Sequence, residues 1–149
     1  MVMGPHKDSP HPPTVLVVDD DAEILAALRR LFRDEPYEVL TTQDPYEAWN
    51  WMKSRPVDLV IVDEFMPAML GTELLEAARR ESPDCARVVL TGHPTPTVAG
   101  RVFRQDVDLM LLKPWEDDAL RNSVRRIMAD RGIPRAAPPD ASGGGRRSF

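Results

Sequence analysis

Short apolar runs alternate along the chain with longer segments whose apolar residues recur at helical spacing. The short runs are rich in Val, Ile and Leu and predict five strands. These strands are placed at residues 14–18, 37–41, 57–62, 87–90 and 108–112. The third run is apolar nearly throughout, as expected of a strand that is buried on both faces. The alternation therefore predicts a parallel sheet with helices on both faces.

The longer segments predict five helices, and the sequence pattern that supports each of them differs in strength. The second has the clearest start, because Asp44 and Pro45 suit its cap and first turn, and Glu47 follows Asp44 by three residues as in a capping box. The fourth, over about 95–104, has the weakest pattern, since it begins among prolines and contains Gly100. The residues predicted to face the sheet are Ile24, Leu28, Leu31 and Phe32 in the first helix, Leu74, Leu75 and Ala78 in the third, and Leu120, Val124, Ile127 and Met128 in the fifth.

Composition predicts one domain with a tail at each end. A chain of 149 residues, 42% hydrophobic and 29% charged, is typical of a soluble protein with a single core. Residues 1–13 are rich in proline, and residues 132–149 are rich in proline, glycine and arginine. Such segments bury too little apolar surface to become ordered. We therefore expect a folded domain over 14–131 between two disordered tails.

Charge and cysteine content narrow the class of protein further. The net charge of -5 disfavours direct binding of nucleic acid, which needs clustered Lys and Arg. The longest apolar runs are far shorter than the ~20 residues of a spanning helix. Cys85 is the single cysteine and cannot form an internal disulfide, and no charged-then-apolar leader opens the sequence. The sequence predicts a cytoplasmic protein that binds neither membrane nor nucleic acid.

Four of the five predicted strands end in groups that can bind charge or react. Because functional groups gather at the carboxyl ends of parallel strands, these groups are expected to share one site. Clustered carboxylates require a cation, and hard oxygen ligands favour Mg²⁺. The groups are Asp19, Asp20 and Asp21 after the first strand, Asp63 after the third, Thr91 after the fourth, and Lys113 after the fifth.

Taken singly, each of these groups has an ordinary structural explanation. An aspartate run is often a solvated turn with a helix cap, and Thr91 could begin a simple turn. Lys113 could be a surface lysine before a proline, and Gly71 is expected to shape the loop before the third helix without reacting. Their coincidence at four strand ends is what favours a shared site.

The order of these motifs resembles the receiver domain of two-component response regulators, in the CheY-like superfamily. The resemblance covers about residues 14–130, through the segments VLVVDDD, VIVDEFMPAMLG, LTG and LLKPW. It implies an α/β, flavodoxin-like (βα)5 fold. In that fold a doubly wound, five-stranded parallel sheet has the strand order 2-1-3-4-5.

The resemblance also implies roles for particular residues. Asp63 is the phosphoacceptor, and Mg²⁺ is bound by Asp19, Asp20, Asp63 and the backbone carbonyl of Phe65. Lys113 contacts the carboxylate or phosphoryl group, and its bond to Pro114 is cis. The residues implied are Asp63, Lys113 and Thr91 for phosphoryl transfer and Asp19, Asp20, Asp63 and Phe65 for the metal.

The implied switch consists of Thr91 and Met110. The phosphoryl group draws the Thr91 hydroxyl inward, which alters the face made by the fourth helix, the fifth strand and the fifth helix. The family usually has Tyr or Phe at the position of Met110. A flexible methionine can fill the same space, although an aromatic rotamer change is not available to it.

Three functions are compatible with these residues. The first is a regulatory phosphoacceptor that catalyses only its own phosphoryl transfer and dephosphorylation. Its partners would be a histidine kinase or phosphotransfer protein and a downstream protein effector. A homodimer is possible through the face made by the fourth helix, the fifth strand and the fifth helix. The second is a phosphorylation-independent scaffold, suggested by Met110 and Glu64. The third is an aspartate-nucleophile phosphatase, which is disfavoured because Ala22 and Glu23 follow Asp21 in place of that family's motif.

Overall fold

The computed structural model describes residues 11–132, and its centre is a five-stranded sheet. The strands pair in the order β2-β1-β3-β4-β5, and all of these pairings are parallel. This confirms the predicted strand order and fold class. The strands are β1 (Thr14–Val18), β2 (Glu38–Thr42), β3 (Leu59–Asp63), β4 (Ala86–Thr91) and β5 (Leu109–Leu112).

One helix follows each strand, and two apolar clusters cover the two faces of the sheet. Alternate residues of β1 and β3 enter opposite clusters because side chains alternate across a strand. One cluster contains Val15, Val17 and Ile61 with residues of α1 and α5, and the other contains Leu16 and Val60 with residues of α2 and α3. The helices are α1 (Ala22–Leu31), α2 (Pro45–Ser54), α3 (Gly71–Glu81), α4 (Pro96–Arg104) and α5 (Asp117–Asp130).

The predicted helix faces are correct for α3 and need small corrections in α1 and α5. In α1 the buried residue of the first turn is Leu25, whereas Ile24 is half-buried at the edge of the cluster. In α5 Leu120, Val124 and Met128 are buried, and Ile127 packs at the edge. Ile24 and Ile127 thus lie at the rim of the buried face of each helix, since neighbouring residues lie about 100° apart on a helix.

The predicted capping box of α2 is wrong in its hydrogen bonds. Asp44 does cap the helix, and its Oδ1 accepts from the Tyr46 N–H at 2.9 Å. Glu47, however, accepts from the Thr42 hydroxyl, and the Asp44 N–H donates to Thr42 Oγ1 at 3.0 Å. The Thr42 hydroxyl therefore lies between the two groups that a capping box would join directly, the Asp44 N–H and the Glu47 carboxylate.

The strands that carry the site extend to slightly different bounds from those predicted. Strand β3 begins two residues later, at Leu59, and includes Asp63, while β4 reaches Thr91. The tails predicted at 1–13 and 132–149 lie almost entirely outside the described residues. At the amino-terminal boundary, the Pro13 carbonyl accepts from the Glu38 N–H at 2.8 Å. Within residues 11–132, no helix combines the length and apolar character that crossing a membrane requires.

Candidate functional site

Three aspartates meet at the carboxyl edge of the sheet. In the paired strands β1 and β3, Val18 lies opposite Val62. The next residue of the chain in each case, Asp19 after β1 and Asp63 at the end of β3, therefore lies beside the other. One carboxylate oxygen from each of Asp19, Asp20 and Asp63 lies within 4.8 Å of the others. Asp19 is 2% exposed and Asp63 is 9% exposed, whereas Asp20 faces solvent. Such a set of oxygens fits a small divalent cation.

Lys113 brings an ammonium group into contact with two of these carboxylates. Its Nζ lies 2.7 Å from Asp19 Oδ2 and 3.5 Å from Asp63 Oδ1. The residue directly follows β5, and its backbone N–H donates to the Thr91 carbonyl at 2.9 Å. The Lys113-Pro114 peptide bond is cis, as the resemblance implied. The ammonium therefore offsets part of the negative charge of the cluster.

Thr91 lies at the same edge of the sheet, at the end of β4. Asp63 pairs in register with Leu90, so Thr91 follows one position beyond the residue opposite Asp63. Its side chain is fully buried, and its Oγ1 accepts from the His93 N–H at 3.0 Å. The structure thus places Thr91 at the strand end next to that of Asp63, with its hydroxyl in a turn with the loop that follows β4.

The sequence profile of the response regulator receiver domain matches residues 15–125, which is most of the chain and contains every residue of the site. The chain belongs to this family. Among curated relatives of the receiver domain, the hydrogenase transcriptional regulatory protein HoxA of Cupriavidus necator is 34% identical over 121 residues, covering 80% of this chain and 25% of HoxA. The DNA-binding transcriptional regulator NtrC of Azospirillum brasilense is 30% identical over 128 residues, covering 86% of this chain and 27% of NtrC. The chain therefore spans about a quarter of the length of these relatives.

Solved receiver domains have the same fold. The signal receiver domain of an HD domain-containing protein from Pseudomonas fluorescens superposes with a TM-score of 0.78 at 30% identity, covering 81% of this chain and 98% of that one. A CheY-like response regulator receiver domain from Methanospirillum hungatei gives a TM-score of 0.77 at 25% identity, covering 80% and 96%. These matches confirm that the chain resembles receiver domains over nearly their whole length.

The two remaining predicted site residues of the receiver domain are Phe65 and Met110. The Phe65 side chain is 41% exposed, and its ring meets the His93 ring edge to face at 5.5 Å. Met110 is half-buried on β5 opposite Val89, and it packs with Val102 against the cluster formed with α2 and α3. Met110 thus packs on the face of the sheet that α2 and α3 cover.

A buried ion pair behind the site is the feature that sequence reasoning missed. Glu64, directly after Asp63, is 0% exposed and accepts from the Arg101 Nε at 2.6 Å. Its carboxylate also accepts from the N–H and the hydroxyl of Thr72, each at 2.8 Å. Arg101 is 37 residues from Glu64 in sequence, and no local motif joins them. The sequence offers only the unusual acidic residue that follows the strand.

Burial raises the pKa of the Asp63 carboxyl above its ordinary value of 3.8. The negative charge of Asp19 raises this pKa further, whereas the charge of Lys113 and hydrogen bonds from Lys113 and the Phe65 backbone lower it. Desolvation is the largest of these effects. When no Mg²⁺ is bound, the ionised form of Asp63 therefore destabilises the folded protein.

This shift gives a pH dependence of stability that Asp63→Asn should remove. The folded state holds the Asp63 proton more tightly than the unfolded state, so the free energy of unfolding falls as pH rises from about 3.8 through the folded pKa. In Mg²⁺-free buffer, Asp63→Asn is expected to be more stable than wild type near neutral pH. The difference should shrink as pH falls. Urea unfolding of both proteins in EDTA measures it, and a difference independent of pH would contradict the assignment.

Proposed function

We propose that this receiver domain accepts a phosphoryl group on Asp63 from a histidine kinase or phosphotransfer protein. The observation that carries the proposal is the cluster of the Asp63, Asp19 and Asp20 carboxylates, whose oxygens lie within 4.8 Å of one another, with the Lys113 ammonium 3.5 Å from Asp63 Oδ1. Membership of the receiver family supports the same role. Asp63 is the one of these groups that stands at the end of the central strand, and its partial exposure leaves it accessible to a donor.

The oxygens of Asp19, Asp20 and Asp63, with the Phe65 carbonyl, are the proposed ligands of Mg²⁺. Three carboxylates beside a single ammonium leave an excess of negative charge, and hard oxygen donors match this cation. When bound, Mg²⁺ supplies positive charge that offsets the carboxylates and the phosphoryl oxygens. The remaining chemistry is assigned to side chains of the domain.

In the proposed transfer, an Asp63 carboxylate oxygen attacks the phosphorus of a phosphohistidine. A P–O bond forms as the P–N bond breaks, and the electron pair of the broken bond stays on the imidazole nitrogen, which takes a proton from solvent. Lys113 stabilises the phosphoryl oxygens because its ammonium already lies 3.5 Å from Asp63 Oδ1. The Thr91 hydroxyl, at the next strand end, turns from the loop after β4 to donate to the phosphoryl group.

We propose that this rearrangement alters the face formed by α4, β5 and α5, where a downstream protein effector or a second copy of the chain binds. Two large apolar side chains are exposed on it, Phe103 on α4 at 85% and Leu112 on β5 at 51%. Exposed apolar side chains on this face favour contact with protein. The net charge of -5 supports the absence of direct nucleic acid contact by this domain, although NtrC as a whole protein is a DNA-binding regulator. We place the protein in the cytoplasm, away from membranes.

A phosphorylation-independent scaffold is the second candidate, and Met110 is the observation that favours it. This residue packs against the apolar cluster that contains residues of α2 and α3, at a position where the family usually has an aromatic side chain. A scaffold of this kind would bind its partner equally well with or without phosphorylation. The two candidates therefore differ in whether phosphorylation of Asp63 alters the conformation of α4.

Beryllofluoride, which mimics a phosphoryl group on a carboxylate, tests both candidates. Added with Mg²⁺, it is expected to shift the amide resonances of Asp19, Asp63 and Lys113 and also those of α4 and β5, as followed by two-dimensional NMR. Beryllofluoride without Mg²⁺ is the control and should produce no shift. Shifts confined to the strand ends would support the scaffold, and no response with Mg²⁺ would contradict the proposed function.

A further inference from the structure

The buried carboxylate of Glu64 joins three elements of the fold at one point. It directly follows the proposed phosphoacceptor at the end of β3, and it is fully excluded from solvent. Thr72, in the first turn of α3, donates to it from both its backbone N–H and its hydroxyl, each at 2.8 Å. Arg101, from α4, donates from Nε at 2.6 Å. The site, α3 and α4 therefore share one charged contact.

A charge buried to this degree requires a partner, and Arg101 is the cation that Glu64 contacts. Transferring a carboxylate out of water is costly unless charge and hydrogen bonds compensate it, and losing one partner of such a pair is strongly unfavourable. The Thr72 donors satisfy both oxygens in part, but they carry no positive charge. The position of α4 is thus linked to Glu64 by a contact that tolerates little displacement.

Helix α4 has few other contacts that hold it. Val98 is its one buried residue, and Val102 packs partly into the cluster on that face of the sheet. Phe103 and Arg104 face solvent, and Gly100 lowers the helical propensity of the segment. Elements with little buried apolar surface open at low free-energy cost. The pair with Glu64 therefore contributes a large share of what positions α4.

We infer that the Glu64–Arg101 ion pair is the restraint through which the state of Asp63 controls α4. This inference rests on the proposed phosphorylation of Asp63. Phosphorylation replaces the single negative charge of the Asp63 carboxylate with a charge of about -1.5 to -2, on the residue that directly precedes Glu64. That charge repels the Glu64 carboxylate and attracts the Arg101 guanidinium, so it weakens the pair that holds α4. The coupling needs no aromatic side chain on β5, which is consistent with Met110 at that position.

Two arginines on the same helix provide a matched experiment. Arg101→Met removes the restraint and keeps the aliphatic part of the side chain, whereas Arg104→Met makes the same change at an exposed position that does not contact Glu64. Without beryllofluoride, the amides of α4 are expected to exchange with solvent faster in Arg101→Met than in wild type. Because the restraint opposes the activated arrangement, this variant should bind beryllofluoride with Mg²⁺ about fivefold more tightly or better. Arg104→Met should match wild type in both measurements.

Further variants separate the loss of the link from a general loss of structure. The double variant Glu64→Gln with Arg101→Met leaves no unpaired buried charge, and the glutamine oxygen can still accept from Thr72. It should show the same tighter binding as Arg101→Met. Arg101→Lys keeps a cation within reach of Glu64 and should restore much of the wild-type affinity. A role in stability alone would lower the midpoint of unfolding without tightening beryllofluoride binding.

The outcomes distinguish this inference from the function on which it rests. If wild type binds beryllofluoride with Mg²⁺ and both Arg101→Met and the double variant bind it no more tightly than Arg104→Met, the restraint is refuted and the phosphoacceptor role stands. If wild type does not bind beryllofluoride, the proposed function and the restraint are both overturned. Tighter binding by both variants, with faster exchange limited to α4, supports the restraint.

Discussion

Asp63→Asn is expected to abolish the incorporation of phosphate from acetyl phosphate in the presence of Mg²⁺. The asparagine amide carries no negative charge and is a poor nucleophile toward phosphorus, whereas the carboxylate attacks directly. The substitution also removes one of the three carboxylates that lie within 4.8 Å of one another. Intact-protein mass spectrometry after incubation with acetyl phosphate should show one added phosphoryl group in wild type and none in the variant.

Asp21→Asn is the matched control for this loss. Asp21 belongs to the same aspartate run but is not among the clustered carboxylates, and its Oδ1 accepts from the Glu23 N–H at 2.9 Å to cap α1. Asparagine caps helices as well as aspartate does, so the variant should keep both its fold and its phosphorylation. Equal labelling of wild type and Asp63→Asn would place the phosphoacceptor elsewhere.

The loss of labelling in Asp63→Asn should not come from unfolding. Because burial raises the pKa of the Asp63 carboxyl, the neutral amide removes an unfavourable buried charge and should stabilise the metal-free protein. A variant that is more stable than wild type and yet unlabelled therefore separates chemistry from folding. Its Lys113 ammonium still has Asp19 as a partner at 2.7 Å.

The fold and the carboxylate cluster could be predicted because both depend on local patterns. The alternation of apolar runs defines β1 and β3, and the pairing of neighbouring parallel strands places Asp19 and Asp63 together. The strand end is a property of the backbone, so the prediction needs no knowledge of side-chain rotamers. For the same reason Lys113, at the end of β5, could be assigned to the site from its position in the chain.

The Glu64–Arg101 pair could not be predicted because it depends on how two distant elements pack. Arg101 reaches Glu64 only after α4 adopts its particular position on the sheet, and helical periodicity describes a face without defining its contacts. Similar reasoning explains the error at α2. The Asp44 N–H could donate to Glu47 or to Thr42, and these alternatives differ too little in energy for a sequence pattern to decide between them.

Gly71→Ala is expected to destabilise the domain by about 3 kcal/mol, since the added methyl group has no space. A Cβ at this position would lie 2.3 Å from the Asp63 carbonyl oxygen and 2.9 Å from Val62 Cγ2. The close approach comes from the start of α3, where the Gly71 N–H donates to the Glu64 carbonyl at 2.9 Å. Moving α3 away to relieve the clash would break this hydrogen bond and those that Thr72 donates to the Glu64 side chain.

Gly100→Ala is the control, because its Cβ would meet only the Arg104 guanidinium, at an ordinary 3.5 Å. Alanine should stabilise α4 by about 0.5–1 kcal/mol. Urea unfolding of the two variants should therefore give changes of opposite sign. Because the clash falls on the Asp63 backbone, Gly71→Ala should also weaken beryllofluoride binding under conditions where the variant is still folded. A free energy of unfolding within about 1 kcal/mol of wild type would mean that β3 and α3 can separate without disturbing the site. That result would contradict the tight coupling of Asp63 and Glu64 to α3 on which the proposed restraint of α4 also depends.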